Sequence, residues 1–420
     1  MRPAVWPFWR AALTGAAFTL AAPLHGQDLE GHGGPVGALA VTPDHVLSGS
    51  FDTRAILWDR AQARAVEITR FHDGNVTAVA FLQGGAFVTA GQDGRIALWE
   101  AGAARPYLAT DHAPSAIAAL DVAPDARTLA AGFRDGQILT LSLPEGVERW
   151  HQAHSDRITG LGYLASGDLV SVGGDQRLMR WSPEFSPRAQ ATLPALPNGL
   201  AVSQGRLAVI FADGALRMYS ETGDLLPEHF LTDRPLVALA TSAMDIVAAA
   251  IDGTVWRLDA TALTQEMSFP ASDGPIWALA LDDSEILTAG HSGVIRRWAR
   301  EDGAALGRAD PQQAASFDDG SRGAEIWRSC AVCHSLEPDD HNRAGPSLHG
   351  IFGMRIASQP GFDYSGALRD MDIIWTEKTV AELFEYGPDE YTPGSRMPDQ
   401  RISDPADRAA LVEFLARTSE

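Results

Sequence analysis

The chain has 420 residues, 45% of them hydrophobic and 21% charged, which is enough apolar content for more than one buried core. Its 54 acidic residues outweigh 33 basic ones, and the net charge of -21 argues against nucleic acid, DNA included, and against an anionic membrane surface as partners. Lys378 is the only lysine, so no P-loop or Schiff-base lysine exists elsewhere.

Arg2 and Arg10 flank the start of an apolar run, Ala11 to Ala22, which leads into Pro23-Leu24-His25-Gly26-Gln27. This pattern predicts a secretory signal peptide over residues 1–26, with the small Gly26 before the cut, and hence a periplasmic location. The alternative is an N-terminal membrane anchor with the protein facing the periplasm, although the run is short for a bilayer span.

Over residues 27–302 the chain repeats itself every 38 to 42 residues. The marker is a turn residue six positions before a large apolar one: Asp52/Trp58, Asp93/Trp99, Asp135/Leu141, Asp175/Trp181, Asp213/Tyr219, Asp252/Leu258 and Ser292/Trp298. Short alternating stretches such as Val36–Val41, broken by Asp-Gly turns, predict strands, and the period is that of a propeller blade. The endings, best seen in Ser48-Gly-Ser-Phe-Asp52-Thr-Arg-Ala-Ile-Leu-Trp58-Asp59, resemble the WD-repeat family.

That resemblance implies a seven-bladed all-β propeller with a hydrogen-bonded His, Ser/Thr, Asp and Trp in each complete blade. Blade one would use His32, Ser48, Asp52 and Trp58; blade two His72, Thr89, Asp93 and Trp99; blade four His154, Ser171, Asp175 and Trp181. These histidines therefore read as structural rather than as ligands. Blades three, five and six, with Leu141, Tyr219 and Leu258 in place of Trp, are expected to rely on apolar packing alone. His45, His112, His151, His229 and His291 show no partner cluster in sequence.

A polar, Gly- and Pro-containing stretch over residues 303–316 reads as a linker to a compact domain, residues 317–420. Helices are predicted near Gly323–Val332, over Thr379–Glu385 with Thr376 as N-cap and Gly387-Pro388 as the stop, and over Pro405–Arg417. Both cysteines of the chain fall in Cys330-Ala-Val-Cys333-His334, the attachment signature of a c-type haem. Each thiol can bond one vinyl group, and the adjacent imidazole then stands over the iron. A redox dithiol or half of a zinc site is the competing reading; a zinc site would need further Cys or His ligands.

The motifs that follow run in a fixed order: Gly345-Pro346-Ser-Leu348-His349-Gly350, Pro360-Gly361-Phe362-Asp-Tyr364, Ile374-Trp375 and Tyr391-Thr-Pro393-Gly394-Ser-Arg-Met397. Together with the haem signature they resemble class I cytochromes c of the mitochondrial type, an all-α fold. The resemblance implies His334 as proximal ligand, its ring oriented by the carbonyl of Pro346. It implies Met397 as sixth ligand, and Tyr364 and Trp375 as hydrogen-bond donors to a propionate. The family's propionate-side Arg is replaced by Met354, with Arg355 one place later. His341 and His349 are the competing sixth ligands.

With both axial positions filled, the iron carries electrons and has no vacancy for substrate. The expected function is that of an exported cytochrome holding one covalent haem c, without substrate chemistry of its own. Its propeller would dock redox partner proteins or tie the cytochrome to a respiratory complex. Two alternatives stand beside it: an oxidoreductase with a substrate or second cofactor on the propeller, and a haem-delivery or sensing protein. From Ala314 to Glu420 there are 10 basic and 19 acidic residues, so the expected partner presents a basic surface.

Overall fold

The structure, a computed structural model, describes residues 27–307 apart from Pro144, and residues 319–419 apart from 332–333, 339–344, 363, 394, 396, 398–400 and 403. The predicted signal peptide and most of the predicted linker lie outside these residues. No described helix is long and apolar enough to cross a membrane.

Seven antiparallel sheets fill residues 36–299. In blade one, Val36–Val41, His45–Ser50, Arg54–Asp59 and Arg64–Arg70 pair in sequence order. The first strand of each sheet touches the first strand of the next, and that of the seventh returns to the first. First strands therefore line the centre of a closed seven-bladed propeller. Exposure rises outward: Val46 and Leu47 are fully buried, whereas Arg64–Arg70 alternates exposed with half-buried or buried residues, as an edge strand packed on one face must.

Turns between the second and third strands need a left-handed residue. Gly94 supplies it at φ 73°, and a Cβ there would strike the carbonyls of Ala113 and Ser115 at 2.7 and 2.8 Å. Blade one places Thr53 in that conformation at φ 68°.

The three predicted hydrogen-bonded sets are present. In blade one the Trp58 indole donates to Ser48 Oγ (2.8 Å), Ser48 Oγ meets His32 Nε2 (2.7 Å), and His32 Nδ1 donates to the Asp52 carboxylate (3.0 Å). Blade two repeats this through Trp99, Thr89, His72 and Asp93, and blade four through Trp181, Ser171, His154 and Asp175. Blade seven keeps half of it, Trp298 to Thr288 at 2.9 Å.

Blade five corrects the expectation of apolar packing alone. Arg217 grips Asp213 through both Nη atoms (3.1 and 2.8 Å) and Glu228 through Nε (2.8 Å), with its guanidinium over Phe211 and Phe230. A bidentate ion pair under aromatic rings replaces the His–Asp pair. Blades three and six do bury Leu141 and Leu258 completely.

Blade seven has three strands of its own and is completed from both ends of the propeller. Leu29 exchanges backbone bonds with Ile295 (3.0 and 3.1 Å), and the Asp28 carboxylate accepts from Arg297 N–H (3.2 Å). Further along the same outer edge of Ile295–Ala299, Ala305 bridges Trp298, so the stretch read as a linker begins as propeller. Arg60 of blade one reaches Glu285 of blade seven, which Arg297 also holds at 2.6 and 2.9 Å.

After residue 319 the chain is helical with long irregular connections: α1 Arg322–Cys330, α2 Gly366–Arg369, α3 Glu377–Tyr386, α4 Pro388–Tyr391 and α5 Pro405–Thr418. An isolated bridge joins Arg355 and Ile374, so helices account for only part of the domain. Ser321 caps α1, Asp404 caps α5, and Thr376 with Thr379 forms a reciprocal cap on α3, which starts two residues before the predicted helix. At the α1–α5 crossing, Gly323 carries no Cβ, which would meet the Ala410 carbonyl at 2.2 Å. Trp327, Phe414, Leu411 and Leu383 form the core above it.

Candidate functional site

The helical domain encloses an apolar cavity. Its walls include Trp327 and Cys330 from α1, Leu348 and Ile351 from the connection after it, and Val380, Leu383 and Phe384 from α3. The amphipathic face of α3 turns these three inward, all less than 10% exposed.

His334, Pro346, Tyr364, Trp375 and Met397, separated in sequence by up to 63 positions, all line this cavity. His334 Nδ1 lies 2.8 Å from the carbonyl oxygen of Pro346. A carbonyl carries no hydrogen, so Nδ1 is the donor and the ring's lone pair lies on Nε2. Gly345 allows this approach, since a Cβ there would sit 2.4 Å from Cε1 of the ring. The imidazole is thus fixed in tautomer and orientation, as a metal ligand requires.

Cys330 is buried at the C-terminal end of α1 and faces the same cavity. Cys333 lies outside the described residues, as do His341 and the Gly394, Arg396 and Pro398 neighbours of Met397. Met397 N–H donates to Ser395 Oγ (3.1 Å), which ties the methionine to the loop after α4. His349 is not among the residues that line the cavity, whereas Met397 is.

Burial pushes the Tyr364 phenol up to about 12, so it stays protonated and able to donate. Tyr391 donates to the Glu382 carboxylate (3.0 Å), and burial followed by that contact also pushes it up to about 12. Arg355 does not line the cavity; its guanidinium turns to Asp372 at 3.6 Å and to the Arg369 carbonyl.

These residues fit a haem. The cavity is apolar, one wall presents an imidazole whose Nδ1 is bonded to a carbonyl, Met397 supplies a neutral thioether, and a buried thiol stands beside them. Sequence reasoning missed two lining residues, Phe51 and Asn75, which come from the propeller. Nothing local in sequence marks them.

On the propeller, the structure brings together one group unforeseen in sequence: Asp73, Asp93 and His112. Asp93 is already the acceptor for His72, and His112 is well exposed, which makes this an extension of the blade-two hydrogen bonding.

Fold and site together define a haem-binding electron-transfer domain behind a repeat propeller. The family model for cytochrome c matches residues 320–419, and that for the WD domain, G-beta repeat, matches residues 25–59 and 65–100. Through its C-terminal domain the chain belongs to the cytochrome c family. It is 35% identical over 103 residues to cytochrome c of Cochliobolus lunatus, spanning 24% of this chain and 94% of that one. It is 37% identical over 98 residues to cytochrome c of Arabidopsis thaliana (23% and 87%), and 32% identical over 95 residues to cytochrome c2 of Rhodomicrobium vannielii (23% and 75%). A computationally designed protein, Ika8, matches in structure with a TM-score of 0.53 at 20% identity, covering 65% of this chain and 98% of that one. At that identity it speaks to the fold alone.

Proposed function

We propose that this protein is an exported one-electron carrier with a single haem c bound covalently through Cys330 and Cys333. His334 and Met397 hold the iron, and the propeller serves as the scaffold on which redox partners dock. The observation that carries this reading is the His334 imidazole, aimed by Pro346 into an apolar cavity that also takes in Cys330 and Met397.

Haem supplies the one-electron chemistry when bound. The chain's own residues do the rest. Pro346 holds the proton on Nδ1, so that Nε2 would be the nitrogen available to the metal. Met397 offers a soft, uncharged ligand that favours the reduced state and raises the potential. Trp327, Leu348, Leu383 and Phe384 keep water away from the centre, which lowers the reorganisation that electron transfer must drive. Tyr364 and Trp375, which line the cavity, carry O–H and N–H donors that would hydrogen-bond a propionate.

Export accords with the signal-peptide pattern of residues 1–26 and with the location of haem attachment in the families this chain resembles. The test is to purify the protein from a periplasmic extract, then record its absorption spectrum and intact mass. The expected result is one low-spin c-type haem per chain, retained under denaturation, on a chain shortened by the leader. A second chromophore, or a haem that extracts into organic solvent, would overturn the reading.

A further inference from the structure

Phe51 and Asn75 line the same cavity as His334 and Met397, although they belong to blades one and two. Their positions repeat around the ring. In each blade the residue closing the second strand donates its N–H to the carbonyl just before an inner strand: Phe51 to Pro35 (2.9 Å), Gln92 to Asn75 (2.8 Å), Ile251 to Pro235 (3.0 Å) and His291 to Pro275 (3.1 Å). The repeated bond puts all of these residues on one face of the disc, at the rim of the central channel.

On blades six and seven this rim continues as exposed apolar surface, with Ile251 38% and Trp277 37% exposed. Single exposed hydrophobics need no explanation, but a run from blade six to blade one on one rim marks a contact face. Phe51 is held in place for it. Its ring lies against Gly37, where a Cβ would come within 3.3 Å of Cε1.

We propose that this rim is the docking face for the chain's own cytochrome domain, with Phe51 and Asn75 closing the mouth of the haem cavity. The inference rests on the reading that the cavity holds haem. It commits the rim to one occupant, on the ground that two of its residues already form part of that cavity's wall. The consequence is a lid: in the docked state the haem edge is shielded from solvent and from small reductants, and a partner gains access when the domain lifts away. Shielding also favours the reduced centre, which carries one positive charge fewer into a low-dielectric site.

The test uses the full-length, haem-loaded protein. Phe51→Glu combined with Asn75→Asp places two carboxylates against an acidic domain, and Phe51→Ala removes the ring with less disturbance. Reduction of the ferric protein by a neutral hydroquinone is followed by stopped flow. Phe230→Glu, on an outer-strand residue 61% exposed, serves as the control.

The double variant should be reduced about tenfold faster than the unaltered protein, the factor by which a docked state favoured to that extent suppresses the open one. Phe51→Ala should move the rate in the same direction, and the midpoint potential should fall in both; Phe230→Glu should change neither. If Phe51→Ala and any folded double variant keep the unaltered rate and potential, the lid does not exist. An unaltered chain without a haem spectrum would sink both this inference and the function it rests on, whereas haem-loaded variants with unaltered kinetics would sink the lid alone.

Discussion

Gly345 lies directly against the imidazole of His334: a Cβ built on it would stand 2.4 Å from Cε1 and 2.6 Å from Nδ1. The next residue, Pro346, offers the carbonyl that accepts from that same Nδ1 at 2.8 Å. One residue makes room for the ring and its neighbour aims it. Pro346 has no backbone N–H to compete for the site, and its fixed φ holds the carbonyl in place.

Gly345→Ala should therefore displace the ring and break the Nδ1–H bond to Pro346. Without that bond the imidazole is a poorer donor, the ferric state loses stabilisation, and the potential should rise by up to about 60 mV, the equivalent of one hydrogen bond. Potentiometry checks this, with Gly366→Ala as control, because a Cβ at Gly366 meets nothing within 4 Å. An unchanged potential in Gly345→Ala would mean the ring is not held by this contact.

Met397→Ala removes the thioether from the cavity wall. The weak far-red band that reports methionine sulfur on ferric iron should vanish, and the potential should fall by roughly a few tenths of a volt. A wild-type protein that never shows the band would refute the ligand assignment.

Ser48 is the hub of the blade-one set, accepting from Trp58 at 2.8 Å and meeting His32 at 2.7 Å. Ser48→Ala leaves a fully buried indole N–H without its partner, at a cost of about 1–3 kcal/mol. The propeller transition in calorimetry should move down by about 2–4 °C for each kcal/mol lost. A variant that melts with the unaltered protein would show that the network contributes nothing measurable.

Acid should loosen the propeller through the same sets. Burial pushes the Asp52 and Asp93 carboxyls up, but hydrogen bonds from His32 and His72, with further backbone N–H donors, outweigh it and hold both below their ordinary 3.8. A carboxylate depressed in the folded state adds stability above its ordinary value and loses it as pH falls through the folded one. Asp28 and Asp121 run the other way: burial raises them, so the cost of keeping them charged is relieved as they protonate above 3.8. The propeller melting temperature should therefore hold or rise slightly on mild acidification, then drop steeply below 3.8. Asp52→Asn should flatten that drop, and calorimetry across a pH series would show it.

What could be read from sequence was whatever repeats or sits adjacent. The Asp/Trp spacing exposed the blades because each must close its own turn and bury its own aromatic ring. Cys330 and His334 stood out because haem attachment needs them in one short stretch. The closure of blade seven was invisible, since Asp28 meets Arg297 across 269 positions with no periodic mark. Arg217 escaped notice because a single Arg beside Asp213 looks like a solvated strand residue until Phe211 and Phe230 close over it. Phe51 and Asn75 are ordinary rim residues in sequence, and only the placement of a second domain gives them a cavity to line.

The cytochrome domain itself predicts its partner's charge. Between Ala314 and Glu420 it carries 10 basic and 19 acidic residues, a net -9 before any propionates are added. Lys378 is its only lysine, so it lacks the lysine ring around the haem edge that marks its mitochondrial-type relatives. Such a field steers encounter toward a cationic patch. Transfer rates to a basic and to an acidic test protein, measured across an ionic-strength series, separate steering from mere solubility. The rate to the basic protein should exceed the other at low salt and fall as salt rises, because screening shortens the reach of the field to about 10 Å at 0.1 M. A rate to the basic protein that stays level as salt rises would show that the charge of this domain plays no part in docking, leaving propeller loops away from the Phe51 rim to do it.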